Sequence, residues 1–118
     1  MEELNIEEVK DYLQKTKLPL FASQNAVSFP ILNRIHRRLK EGRRFSAIQV
    51  DQDLIVNGHH RYVCLCILGL EVEHSKWMRN SNSEVICWSK IVVDEEDWDS
   101  DKQREVYRQR YDSEEITL

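Results

Sequence analysis

This sequence predicts a single domain that mixes helices with short strands, and three observations carry that prediction. Residues 6–16 and 30–41 repeat apolar side chains at helical spacing behind residues that cap helices well. Two short β-forming runs, Phe45 to Val50 and Leu54 to Val56, flank the turn Asp51-Gln52-Asp53. The second run passes through Asn57-Gly58-His59-His60-Arg61 straight into an apolar stretch from Val63 to Leu68. With 118 residues, 41% hydrophobic and 32% charged, the chain is long enough for one core and has the composition of a folded domain.

The elements follow in order. Asn5 caps helix 6–16, with Glu8 three residues on, and Ile6, Val9 and Leu13 share one face. Pro19 ends that helix, and residues 17–28 read as a loop. Ser28 and Pro30 announce the second helix, whose apolar stripe is Ile31, Leu32, Ile35 and Leu39 and whose stop is Gly42. After the two strands, Asn57 is the expected cap of a helix from Gly58 to about Leu68, apolar on nearly every side and therefore central, ended by Gly69. Residues 71–83 give no clear pattern. Glu84 to Val93 reads as one strand, rich in β-formers, that holds Trp88. Ser100 and Gln103 fit a capping box that opens a last helix, about 100–111, beyond which Glu114 to Leu118 should fray. Residues 28–93 are the expected core. Trp77 and Trp88 are expected to be packing residues.

A formal net charge of −4 and a pI near 5.6 argue against broad, non-specific nucleic-acid binding. No stretch is long enough for a membrane span, and the acidic start Met-Glu-Glu-Leu-Asn lacks the features of a signal peptide, so a cytoplasmic location is the expectation. Three cysteines, Cys64, Cys66 and Cys87, argue against a disulfide framework; Cys64 and Cys66 are expected to be small core residues, and a zinc site is the weaker alternative because no Cys-x2-Cys pair is present. No metal site is expected from His36, His59, His60 or His74, because neighbouring helical residues diverge and the others lack ligand spacing.

Chemistry concentrates at Asn57, Gly58, His59, His60 and Arg61. Gly58 lets backbone approach a ligand, the amides of residues 59–61 are free donors at a helix start, and Arg61 offers a fork to phosphate oxygens. His59 and His60 are the candidate catalytic residues, as hydrogen-bond donors or proton shuttles. Packing histidines and an Arg61 paired to a nearby carboxylate are the structural alternative. Arg34, Arg37, Arg38, Lys40, Arg43 and Arg44, set against Glu41, read first as a solvated helix face opposite the apolar stripe, with a surface for nucleotide phosphates or an acidic partner as the functional alternative. Residues 94–118 hold ten acids and four bases, and Asp94-Glu95-Glu96-Asp97-Trp98-Asp99 is the densest part. Its alternatives are a solvated loop and a surface for a basic partner, with Trp98 either the anchor or folded back onto the core. Asp51 and Asp53 read as turn residues.

Residues 31–70 resemble the ParB/sulfiredoxin-like superfamily. The resemblance is carried by the helix Ile31 to Gly42, the strands Ala47-Ile48-Gln49-Val50 and Leu54-Ile55-Val56-Asn57, and the Gly-His-His-Arg-Tyr turn into an apolar helix ending at Gly69. It implies an α+β fold, a small mixed sheet flanked by helices, with a phosphate-binding turn at Gly58 to Arg61. It implies ATP, ADP or another nucleotide, with Mg2+, as ligand. The position that holds a cysteine in the sulfinic-acid reductases is His59 here, which argues against that chemistry. The free-serine kinases share Gly-His-His-Arg but need a carboxylate base from outside the motif, for which Glu7, Glu8 and Glu41 are the candidates. Three functions stand as expectations: first a small phosphotransferase or nucleotide hydrolase, then a non-catalytic antitoxin or immunity protein that binds a basic toxin through Asp94 to Asp99, and last, disfavoured by the overall acidity, a nucleic-acid module on the Arg34 to Arg44 face.

Overall fold

The computed structural model describes residues 3–112 and is an α+β fold with four α-helices and short strands. Helix α1 (Ile6–Lys15) starts as its sequence dictates: the Asn5 side chain accepts the backbone N–H groups of Glu7 and Glu8. Its buried Val9 and Leu13 dock on the turn and strand near the C-terminal end of the sheet region. Strand β1 (Ala26–Ser28) lies inside the stretch expected to be a loop, and α2 (Phe29–Lys40) follows it without a break. Strands β2 (Ile48–Asp51) and β3 (Leu54–Asn57) form the expected antiparallel hairpin, with Gln52 in the left-handed region at φ 57°. Helix α3 (His59–Leu68) then crosses β1 and β2 and packs along α2.

Strand order is β3-β2-β4, where β4 (His74–Lys76) runs parallel to β2 at the sheet edge. The expected single strand 84–93 is broken in three. Ile86 makes one antiparallel bridge to Ala22, Trp88–Lys90 forms a 3-10 turn, and β5 (Val92–Asp94) pairs in parallel with β1. Trp88 explains the break. Its ring is 3% exposed, and its indole N–H donates to Leu20 O at 2.8 Å, a geometry that a continuous strand across the core would not allow. The Tyr62 hydroxyl accepts the Leu20 N–H at 3.1 Å, so both polar groups of this buried peptide segment are satisfied by aromatic side chains.

Helix α4 (Asp101–Asp112) opens with both halves of its capping box, Ser100 N–H to Gln103 Oε1 and Gln103 N–H to Ser100 Oγ. The residues expected to fray, 114–118, lie outside the described part. The core joins Val9 and Leu13 to Leu32, Ile48, Ile55, Tyr62, Val63 and Val93, and thus draws on α1 as well as on residues 28–93. Helix α3 buries Tyr62, Val63 and Cys64 and leaves Leu65 to Leu68 partly covered, so its N-terminal half is the central one. Trp77 is exposed, contrary to its expected packing role, because it follows the edge strand β4 and, among the described residues, no strand pairs beyond it. Among the described residues, no helix is long and apolar enough to cross a membrane.

Candidate functional site

The N-terminus of α3 is capped by Gly58, not by Asn57. Gly58 has φ 107° and ψ 26°, no side chain caps the helix, and Asn57 stands exposed at the end of β3. Glycine is required here twice over. The conformation is one that other residues rarely adopt, and a Cβ would stand 2.6 Å from Arg61 Nη2 and 2.9 Å from Ile48 Cδ1. The Arg61 guanidinium therefore folds back over the glycine. Tyr62 N–H is the first to bond within the helix, to Gly58 O at 2.9 Å, and the amides of His59, His60 and Arg61 precede it.

The two histidines fasten other parts of the chain. His59 Nε2 accepts the backbone N–H of Ser23 at 2.9 Å, while the Ser23 hydroxyl donates to Ile55 O at 2.6 Å. His60 Nε2 accepts the backbone N–H of Ser28 at 2.9 Å, just where β1 meets α2. A ring nitrogen that accepts an amide proton carries none of its own, so each ring is neutral with its proton on Nδ1. Burial lowers both rings to a pKa of about 4, and for His59 the neighbouring His60 acts in the same direction. His60 also meets Trp98 edge-on, with ring centroids 5.3 Å apart. Neither Nε2 has a free lone pair to take a proton from a substrate.

Arg61 is different. Its Nε is buried without a hydrogen-bond partner, and among the described residues no carboxylate pairs with it. Burial lowers its pKa, although an arginine remains charged at any ordinary pH, and Tyr111 and Tyr107 act the other way. It lines a cleft of about 370 Å3 together with Gly58, both histidines and Asn57. That volume suits a small organic molecule rather than a bare ion. The opposite wall comes from α4 and from the segment before β2. Phe45 and Tyr111 stack with centroids 4.5 Å apart, Tyr107 lies beside them, and Arg110 completes the rim.

Several of these lining residues are absent from the expected site. Arg34 and Arg38 belong to the run whose first reading is a solvated helix face, yet Arg38 is buried, with its guanidinium 5.8 Å from the Tyr111 ring centre. Arg34 makes a two-pronged pair with Asp97, both contacts 2.8 Å, and a further 2.9 Å contact with Asp99. Both arginines turn inward because the last quarter of the chain supplies their partners. Tyr107 and Tyr111, four residues apart with Arg110 beside them, are the one local signal that could have disclosed the aromatic wall.

The acidic segment is largely committed within the chain. Asp97 receives Arg34 and Arg104, which hold its carboxyl far below the usual carboxylate range, and Asp99 receives Arg34. Asp94 accepts the Trp98 indole N–H at 2.9 Å and the Glu96 N–H at 3.0 Å. Glu95 and Glu96 are exposed, and Trp98 is 43% exposed. The candidate bases lie elsewhere: Glu7 faces Lys10, Glu41 faces Arg37 and Arg43, and Glu8 borders a separate cavity by Tyr12 and His36. Asp51 is held by Arg79, whose backbone N–H donates to it at 2.9 Å, and Asp53 is exposed in the turn.

Among the described residues, Asp99 is the single carboxylate that lines the cleft, and Arg34 engages it. Among the described residues, no group of three His, Cys, Asp or Glu side chains is placed to hold a metal ion. Cys64 is buried, and its thiol contacts Leu32 O at 3.2 Å, as suits a packing residue; Cys66 is half-buried and Cys87 exposed. Comparison with models of protein families, with curated proteins and with solved structures gives no match.

Proposed function

We propose that this chain is a ParB/sulfiredoxin-like domain that binds the phosphate of a nucleotide in the cleft at the head of α3. The observation that carries the reading is Arg61, a partly buried guanidinium with an unpartnered Nε and no described carboxylate to offset its charge. A cation withdrawn from water without a counter-charge is costly, and an anion in the cleft removes that cost. The amides of residues 59–61 point the helix dipole at the same place. Phe45, Tyr107 and Tyr111 offer flat apolar surface for a base. The order α2, β2, β3, glycine turn, α3 supports membership of the superfamily.

Binding is better supported than turnover. His59 and His60 have their Nε2 atoms occupied, and the one carboxylate that lines the cleft among the described residues, Asp99, is engaged by Arg34. The immunity-type reading finds less support, because Asp94, Asp97 and Asp99 already have partners within the chain, which leaves Glu95, Glu96 and the exposed part of Trp98 to meet a basic partner.

A thermal-shift series with ATP, ADP, CTP, GTP and pyrophosphate, each with and without magnesium, tests this reading. At least one nucleotide should raise the melting temperature of the native chain and fail to do so for Arg61→Ala. A shift that persists in Arg61→Ala would move the site elsewhere. No shift with any of them would remove the phosphate reading and leave Glu95, Glu96 and Trp98 as the surface to pursue.

A further inference from the structure

A second cleft, of about 400 Å3, adjoins the first and shares Phe45, Ser46 and Arg61 with it. Arg61 is thus a boundary between two chambers of similar size rather than the end wall of one. The chambers differ in chemistry. The first holds the helix start and the aromatic wall, with Arg110 at its rim. The second has Leu39, Leu65 and Leu70 on one side, while its two further arginines, Arg43 and Arg44, are balanced by Glu71 and Glu73. A terminal phosphate at Arg61 would turn its most charged edge toward a leucine-lined chamber whose charged side chains other than Arg61, namely Arg43, Arg44, Glu71 and Glu73, sum to zero. An esterified phosphate would instead place an uncharged group there. Leucines to cover a base or sugar face, and two carboxylates to accept ribose hydroxyl groups, suit a nucleoside.

Resting on the phosphate reading above, we propose that the ligand is of the dinucleotide class, with its phosphate bridge at Arg61 and one nucleoside in each cleft. Calorimetric titration of the full chain with ADP and with diadenosine pyrophosphate tests this. The two share adenosine and both phosphates, but the second carries another adenosine in place of one negative charge. Charge alone favours ADP; a filled second cleft favours diadenosine pyrophosphate, by about tenfold in Kd. Leu70 is 45% exposed, so Leu70→Glu should fold and place a carboxylate in the second cleft. It should abolish the advantage and leave ADP binding unchanged.

If ADP binds as tightly as diadenosine pyrophosphate or tighter, and its binding is lost in Arg61→Ala, the two-chamber inference fails while the phosphate site stands. If the advantage survives Leu70→Glu, or if Leu70→Glu weakens both ligands alike, the second nucleoside does not occupy this cleft and the inference fails. If neither ligand binds in a manner that depends on Arg61, the phosphate reading falls first and this one with it.

Discussion

Arg61 Nη2 lies 2.6 Å from the point where a side chain on Gly58 would begin, so the residue that opens α3 and the cation that faces the cleft are fitted to one another. Gly58→Ala should therefore do two things. The backbone at φ 107° becomes strained, at a cost of about 1–3 kcal/mol. The guanidinium must also swing away, which should weaken any Arg61-dependent ligand. Urea denaturation reads the first effect and titration with the ligand the second. Unchanged stability would show that the turn relaxes without cost.

The histidines make stability depend on pH in a defined direction. Each ring has a folded pKa of about 4 against an ordinary 6.5, so between these values the unfolded chain binds more protons. Their contribution is complete above pH 6.5 and is lost as pH falls toward 4, by about 3 kcal/mol per ring at most. His36 is lowered as well, through burial and Lys40, and adds a slope of the same sign. His60→Gln keeps an acceptor for the Ser28 N–H without a titrating ring, so it should flatten the slope in urea melts at pH 7, 5.5 and 4.5. An unaltered slope would count against a buried, neutral His60.

The Arg34–Asp97 pair should outlast that transition. The Asp97 carboxyl is held well below its ordinary value chiefly by the hydrogen-bonded Arg34, so its contribution is present above the ordinary carboxylate range and is lost only in strong acid. With both contacts at 2.8 Å and the side chains 20% and 25% exposed, the pair is partly shielded from water. Asp97→Asn should cost about 1–3 kcal/mol at pH 7. Because Asp97 also receives Arg104, the variant should loosen the start of α4, visible as faster amide exchange over residues 101–104. Exchange that is faster everywhere would indicate a general loss of stability instead.

Local signals were readable from the sequence and distant ones were not. Asn5, the Ser100–Gln103 box and the hairpin at Gln52 each act within a few residues, and the structure places them as expected. Strand β1 is three residues long and exists through pairing with β5, more than sixty residues away; nothing local marks it. The same holds for Arg34 and Arg38, which look like a solvated face until α4 and its preceding loop supply their partners. Sequence placed Gly58, His59, His60 and Arg61 together at one helix start, and they do line one cleft. What it could not show is that both Nε2 atoms are spent on the Ser23 and Ser28 amides, since those loops approach only in the folded chain.

Helix α4 meets the body through Arg104 on Asp97 at its start and through the aromatic side chain of Tyr111 near its end. Of its described side chains none is buried, and Tyr111 reaches Phe45 and Arg38 across the cleft. Tyr111→Ala removes the stack, worth about 0.5–1.5 kcal/mol beyond the area it covers. Amide exchange should accelerate in the second half of α4 and remain as before in α1 and α3, whose residues Leu13 and Val63 sit in the core. If the wall also receives a base, Tyr111→Ala should weaken a nucleotide about threefold to tenfold while pyrophosphate, which has no base, keeps its affinity. Equal weakening of both would mean that Tyr111 acts by shaping the position of Arg61 rather than by contact with a base.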